Sequence, residues 1–129
     1  MKITIITVSF NSEATIQQTI DSVLAQEYPN VEYIVVDGAS KDRTVEILQS
    51  YGDRIKYISE KDKGIYDALN KGLRLATGDV VGTIGSDDFF PNSFVLGEVA
   101  EAFIQSGKDV IYGDLQYINP DNDEKIVRY

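Results

Sequence analysis

Apolar and polar positions alternate in blocks along this chain, and the block lengths predict strands and helices in rotation. Residues 2–8 are rich in β-branched side chains and apolar at nearly every position, the pattern of a strand covered on both faces. Asn11 or Ser12 then offers a helix cap, and Glu13 puts an acid where the helix dipole favours one. Ile16, Ile20, Val23 and Leu24 recur at helical spacing, and the helix must end before Pro29. Residues 31–36 read as a second strand. The helix after it starts at Ser40 or Asp42, faces inward through Val45, Leu48 and Tyr51, and stops at Gly52. A weaker strand spans 55–59, followed by a charged loop at 60–64. A helix over 65–76 is expected to bury Ile65, Ala68, Leu69 and Leu73 before Gly78 ends it.

Val80, Val81 and Ile84 then predict a buried central strand that runs into the adjacent acids Asp87 and Asp88. A further helix opens at Pro91-Asn92-Ser93, turns Phe94, Val95, Val99 and Phe103 inward, and closes at Gly107. Residues 110–112 predict a fifth strand, and 115–118 and 125–129 two more around a turn at 119–123. Strands alternating with helices of this length predict an α/β fold, a three-layer α/β/α sandwich with a mostly parallel sheet and right-handed crossovers. At 129 residues this is one domain with room for a real core.

Composition narrows the chemistry. The net charge of -9 argues against nucleic acid or an anionic membrane as partner, since both call for basic patches. The chain has no Cys and no His, so it has no thiol nucleophile, no Cys-ligated zinc and no imidazole base. Acid–base work must fall to carboxylates. Any metal must be held by oxygen, which favours magnesium or manganese. No stretch approaches the ~18 apolar residues of a membrane span, and the first residues lack the pattern of a signal peptide. The expected location is the cytoplasm, or the inner face of the membrane as a peripheral protein.

Polar residues gather at the ends of three predicted strands: Ser9-Phe10-Asn11, Asp37-Gly38-Ala39-Ser40 and Ser86-Asp87-Asp88. In a parallel sheet these ends share one edge, where ligands of open α/β folds bind. Each alone has a plain reading as a solvated turn or a helix cap. Together they describe an acidic crevice in which paired carboxylates can share a divalent cation. No Gly-x-Gly-x-x-Gly follows the first strand and no Gly-Lys-Ser/Thr occurs, so dinucleotide and P-loop sites are disfavoured. Phe10 offers an aromatic surface to a nucleobase, or a core contact.

Four blocks carry a resemblance. They are Val8-Ser9-Phe10-Asn11, residues 35–42 around Asp37, residues 60–72 (Glu-Lys-Asp-Lys-Gly-Ile-Tyr-Asp-Ala-Leu-Asn-Lys-Gly), and residues 76–79 leading to Gly85-Ser86-Asp87-Asp88. In this order they resemble the inverting family 2 glycosyltransferases of GT-A fold, of the bacterial surface-polysaccharide type. The resemblance implies a nucleotide pocket lined by Val8, Ser9, Phe10 and Asn11, with Phe10 near the base and Asp37 on base or ribose. It implies that Asp62, Lys63 and Asn70 border the nucleotide, with Lys63 near phosphate. Ser86, Asp87 and Asp88 would stand in the place of the family's Asp-x-Asp motif, one aspartate binding ribose and Asp87, Asp88 or both holding Mn2+ or Mg2+ against the diphosphate. Such a metal stabilises charge on the leaving group without a proton donor. The implied reaction transfers a sugar with inversion from a nucleotide-sugar donor, a UDP-sugar foremost, to a glycan or lipid-linked acceptor.

Two positions depart from the family pattern: Gly38 stands where many members carry a second acid, and Gly85 where many carry Asp. The family's catalytic base and acceptor segments would fall beyond Tyr129. Residues 1–129 are therefore expected to be the donor-binding part, inactive alone, with Asp114 a weak substitute for the base. Unpaired strands near the C-terminus would favour a homodimer. The alternative reading is a receiver-like or other non-catalytic α/β module holding a divalent metal in an acidic pocket.

Overall fold

The structure, a computed structural model, describes residues 1–107 and the backbone of two short strands at 117–119 and 122–125. Its elements are β1 (Ile3–Ser9), α1 (Ile16–Leu24), β2 (Val31–Asp37), α2 (Thr44–Ser50), a 3-10 turn (Gly52–Arg54), β3 (Lys56–Ser59), α3 (Ile65–Leu75), β4 (Val80–Thr83), α4 (Val95–Ser106), β5 (Tyr117–Asn119) and β6 (Asn122–Lys125). β1 to β4 form one parallel sheet in the order β3-β2-β1-β4, and β5 and β6 pair antiparallel.

The side-chain alternation of each strand builds the layers. Ile3 and Ile5 of β1 with Tyr33 and Val35 of β2 meet Ile16, Ile20 and Val23 of α1, Leu48 of α2, and Leu96 and Ala100 of α4. Ile6, Ile34 and Val36 point the other way, onto Ala68 of α3. Helices therefore cover both faces, and β1 and β2 are buried almost throughout. The chain steps from β1 to β3 in one direction with its crossovers on the first face. The return from β3 to β4 passes over β2 and β1 through α3 on the other face, as a uniform crossover hand requires. Gly72 of α3 lies so close to the sheet that a methyl group placed on it would sit 2.8 Å from Cγ2 of Ile6.

Several expectations are corrected. β4 is an edge strand among the described residues, not a central one, and Val81 is 39% exposed. α1 starts at Ile16 rather than at Asn11 or Ser12, leaving no acid in its first turn. The Ser12 carbonyl does accept the Thr15 and Ile16 amides, but its hydroxyl is engaged elsewhere. Asp42 fastens the start of α2 by accepting from the amide and hydroxyl of Thr44. α3 buries Ala68 and Gly72, while Ile65 and Leu73 are more than half exposed. α4 buries Leu96 and Ala100, and Phe94 is exposed. Both helices carry apolar residues on more than one face, so spacing alone could not pick the packed one. Asn119 and residues 122–123, expected in the turn of the C-terminal pair, belong to its strands; residues 115–116 and 126–129 of the expected strands lie outside the described residues. The predicted fifth strand at 110–112 and Asp114 lie outside the described residues.

Candidate functional site

The C-terminal ends of β1, β2 and β4 lie side by side, because β1 pairs with both others. The loop after β1 laces the three together. The Asn11 amide donates to Ser40 Oγ at 2.8 Å, and Asn11 Oδ1 accepts from the Lys41 amide at 2.9 Å. The next residue reaches both neighbours: the Ser12 amide donates to Thr44 Oγ1 at 2.8 Å, and the Ser12 and Ser86 hydroxyls share a hydrogen bond at 3.0 Å. The turns are tight. Asn11 and Ala39 hold positive φ angles of 47° and 60°, conformations that non-glycine residues keep only where surrounding contacts enforce them.

Asp37 closes β2 as the hub of this edge. Its side chain is fully buried. Ser9 Oγ and Ser40 Oγ donate to its Oδ1 at 2.8 and 2.6 Å, and Ser59 Oγ and the Ser40 amide to its Oδ2 at 2.7 and 2.9 Å. Four donors occupy the four lone-pair positions of a carboxylate. Asp37 thus binds the ends of β1, β2 and β3 and has no acceptor capacity to spare. Ser9 is buried in the same knot, and Val8 packs partly buried against the α3-side core.

Phe10 stands at the rim with its side chain 60% exposed. Beside it lies the loop from 60 to 64. A methyl group placed on Gly38 would sit 2.8 Å from Oδ2 of Asp62 and 3.5 Å from Cδ1 of Phe10, so Gly38, Asp62 and Phe10 converge. Asp62 Oδ1 accepts from the Gly64 amide at 3.1 Å. The loop is tied to α3 by Lys71, whose ammonium donates to the Lys61 carbonyl and pairs with Glu60 Oε1, both at 3.1 Å. The Lys63 amide donates to Asp67 Oδ2 at 2.9 Å, and the Lys63 side chain is exposed. Asn70 is exposed in mid-helix, about 200° around α3 from Ala68, and its described contacts do not join it to the strand-end cluster.

The loop after β4 holds the acidic pair. A methyl group on Gly85 would lie 2.7 Å from Asp88 Oδ2 and 3.2 Å from Asp87 Oδ1. Both carboxylates therefore face the space that glycine leaves open. Partial burial and then the neighbouring Asp87 charge raise the Asp88 pKa above the ordinary aspartate value, the strain that a shared cation relieves. α1 fixes the backbone beneath them. Thr15 Oγ1 donates to the Ser86 carbonyl at 2.9 Å, and the buried Thr19 hydroxyl lies 3.0 Å from that carbonyl and 2.5 Å from the carbonyl of Asp88. The Phe90 amide donates to Ser22 Oγ at 3.1 Å. Among the described residues no group of three or more acids forms a ready-made cation site. Mg2+ and Mn2+ do not need one, because they are commonly held by one or two carboxylates with substrate phosphate and water completing the shell. The donor set fits such an ion.

The sequence alone did not single out Thr15, Thr19, Ser59 or Lys71. The i,i+4 hydroxyls of Thr15 and Thr19 and the i,i+4 pair Asp67–Lys71 were the visible signals.

Comparison with known proteins decides the family. The model of "Glycosyl transferase family 2" matches residues 4–129. The chain belongs to that family. It is 35% identical over 117 residues to the "PGL/p-HBAD biosynthesis glycosyltransferase" of Mycobacterium bovis, covering 86% of this chain and 45% of that protein. The chain thus spans under half the length of this curated relative. Among solved structures it is similar to TarS 1-349 of S. aureus in complex with UDP-GlcNAc, at TM-score 0.73 and 28% identity over 81% of this chain and 32% of that one. It is also similar to the mannosyltransferase PcManGT of Pyrobaculum calidifontis in complex with GDP-Man and Mn2+, at TM-score 0.74 and 27% identity over 79% of this chain and 32% of that one. The fold is of the GT-A type, and the receiver-like alternative is set aside. No helix of the described residues is long and apolar enough to cross a membrane.

Proposed function

We propose that residues 1–129 form the nucleotide-sugar-binding part of an inverting glycosyltransferase that acts in polysaccharide or glycolipid synthesis. The observation that carries this reading is the pair of carboxylates turned onto one glycine-sized space, on a loop laced through Ser12 to the neighbouring strand end. The donor is a nucleotide diphospho-sugar, with a UDP-sugar first, and the acceptor a glycan or a lipid-linked sugar. Relatives of this fold bind UDP-GlcNAc and GDP-Man, the latter with Mn2+.

In this reading Asp87 and Asp88 hold Mn2+ or Mg2+. Held there, such an ion would supply positive charge against a leaving diphosphate, a role that needs no protonated imidazole. The chain's own residues do the rest. Thr15 and Thr19 fix the carbonyls of Ser86 and Asp88, so the two carboxylates are pre-arranged rather than recruited. Phe10 presents a ring face to the base. The hydrogen bonds of Asn11 to Ser40 and of Ser12 to Ser86 tie the loops after β1, β2 and β4 to one another. In this reading Lys63, exposed just before α3, meets phosphate charge.

Calorimetric titration with UDP, with and without Mn2+, tests the reading. Binding that needs Mn2+ and is lost in Asp87→Ala/Asp88→Ala, with the melting curve retained, supports it. Absence of binding by the folded chain at millimolar UDP refutes it.

A further inference from the structure

We propose that Asp62, and not Asp37, is the residue that reads the donor's base, and that it selects a uracil-type base through one hydrogen bond. The inference rests on the donor-site reading above and adds a specificity to it. Asp37 is the acid nearest the ends of β1 and β2, yet it is fully buried and all four of its acceptor positions are taken by Ser9, Ser40 and Ser59. It has nothing to offer a ligand.

Asp62 differs on each point. It is partly exposed. Its Oδ1 is committed to the Gly64 amide, which fixes the plane of the carboxylate. Its Oδ2 has no hydrogen-bond partner among the described residues. That oxygen stands over Gly38, 2.8 Å from where a side chain would begin, and the exposed Phe10 ring borders the same point at 3.5 Å. The absence of a side chain at 38 makes room for the carboxylate. Lys71 and Asp67 brace the loop that carries it.

An aromatic face beside a single fixed acceptor suits a base that stacks and offers one edge N–H. Uracil and thymine offer one such N–H, flanked by carbonyls. Guanine presents two donors side by side and would leave one without a partner. Cytosine turns an unprotonated ring nitrogen to the same place, and lone pairs would oppose each other. A hydrogen bond to a charged group is worth roughly 10- to 100-fold in affinity.

The test is a panel of UDP, CDP, GDP and ADP titrated into the chain with Mn2+. The wild type is expected to prefer UDP to CDP by roughly tenfold or more. Asp62→Asn keeps an oxygen for the Gly64 amide and puts an N–H where Oδ2 stood. It should bring the UDP-to-CDP ratio near unity, chiefly by losing UDP affinity. Gly38→Ala should do the same by displacing the carboxylate, and Gly38→Ala/Asp62→Asn should add little to either change. Asp37→Asn should lower the melting temperature yet leave the ratio in its folded fraction unchanged. Binding in which Asp62→Asn does not move the ratio, or in which Asp37→Asn collapses it, overturns this inference and leaves the donor site standing. No nucleotide binding by the folded wild type overturns both.

Discussion

Replacing Glu32 by Gln separates what holds this fold together from what it binds. Glu32 lies at the other end of the sheet from the acidic pair. Its buried carboxylate accepts from Lys56 Nζ at 2.6 Å, the Thr77 amide at 2.8 Å, Thr4 Oγ1 at 2.8 Å and Thr77 Oγ1 at 3.0 Å, with Lys2 Nζ at 3.7 Å. These bonds anchor the connection from α3 to β4 onto β1 and β2. Burial pushes the carboxyl pKa up, but the Lys56 ammonium and the Thr77 and Thr4 donors overcome it and hold the group at about 2, against 4.5 for a free glutamate. At about 1.4 kcal/mol per tenfold, that difference is worth roughly 3 kcal/mol at neutral pH. Because the folded-state value lies below the unfolded one, the contribution is complete above about pH 4.5 and drains away as pH falls through about 2. Glu32→Gln keeps the shape and removes the charge. Urea unfolding followed by circular dichroism should show the variant weaker by about 3 kcal/mol at pH 7, with the gap closing toward pH 2. Nucleotide affinity of the folded variant should be unchanged. A gap under about 1 kcal/mol that does not vary with pH would refute the assignment of this network.

Other perturbations probe the site and its supports. Thr19→Val, nearly isosteric, strips the hydroxyl beneath the Ser86 and Asp88 carbonyls and should cost about 1–3 kcal/mol in thermal unfolding. It should also weaken Mn2+-dependent UDP binding severalfold, with Thr19→Ser restoring it; equal loss in both variants would contradict a role for the hydroxyl. Gly78→Ala would bring a methyl to 2.5 Å from Thr4 Oγ1, 2.8 Å from the Thr4 amide nitrogen and 3.0 Å from the Lys2 carbonyl. Backbone cannot yield there as a side-chain tip does, so a melting-temperature drop equivalent to about 1–3 kcal/mol is expected. Lys71→Met keeps the stem and removes the ammonium that braces residues 60–61. It should lower UDP affinity while leaving Mn2+ affinity alone, as parallel titrations of the two ligands would show.

The sheet was readable in the sequence because β1 and β2 are buried on both faces, and such strands announce themselves as unbroken β-branched runs. The meeting of Phe10, Asp37 and the Asp87–Asp88 loops at one edge followed from the rotation of strands and helices alone. What could not be read was how each carboxylate is spent. The saturation of Asp37 depends on serines 28 positions before it and 22 after it, which only the parallel register brings to one point. The approach of Asp62 to Gly38 likewise needs the β3–α3 loop to fold back over the end of β2. The packed faces of α3 and α4 were hidden by exposed apolar residues, Ile65 and Leu73 on α3 and Phe94 just before α4, which stand beside the buried Ala68, Gly72, Leu96 and Ala100.

The most direct measurement is paramagnetic broadening of amide NMR signals by Mn2+ in the presence of UDP. The account predicts broadening centred on residues 85–88 and reaching 9–12 and 38–40, with residues 50–54 and 77–79 untouched and the pattern abolished in Asp87→Ala/Asp88→Ala. Broadening that centres on another acidic stretch, or that survives this double substitution, would contradict it.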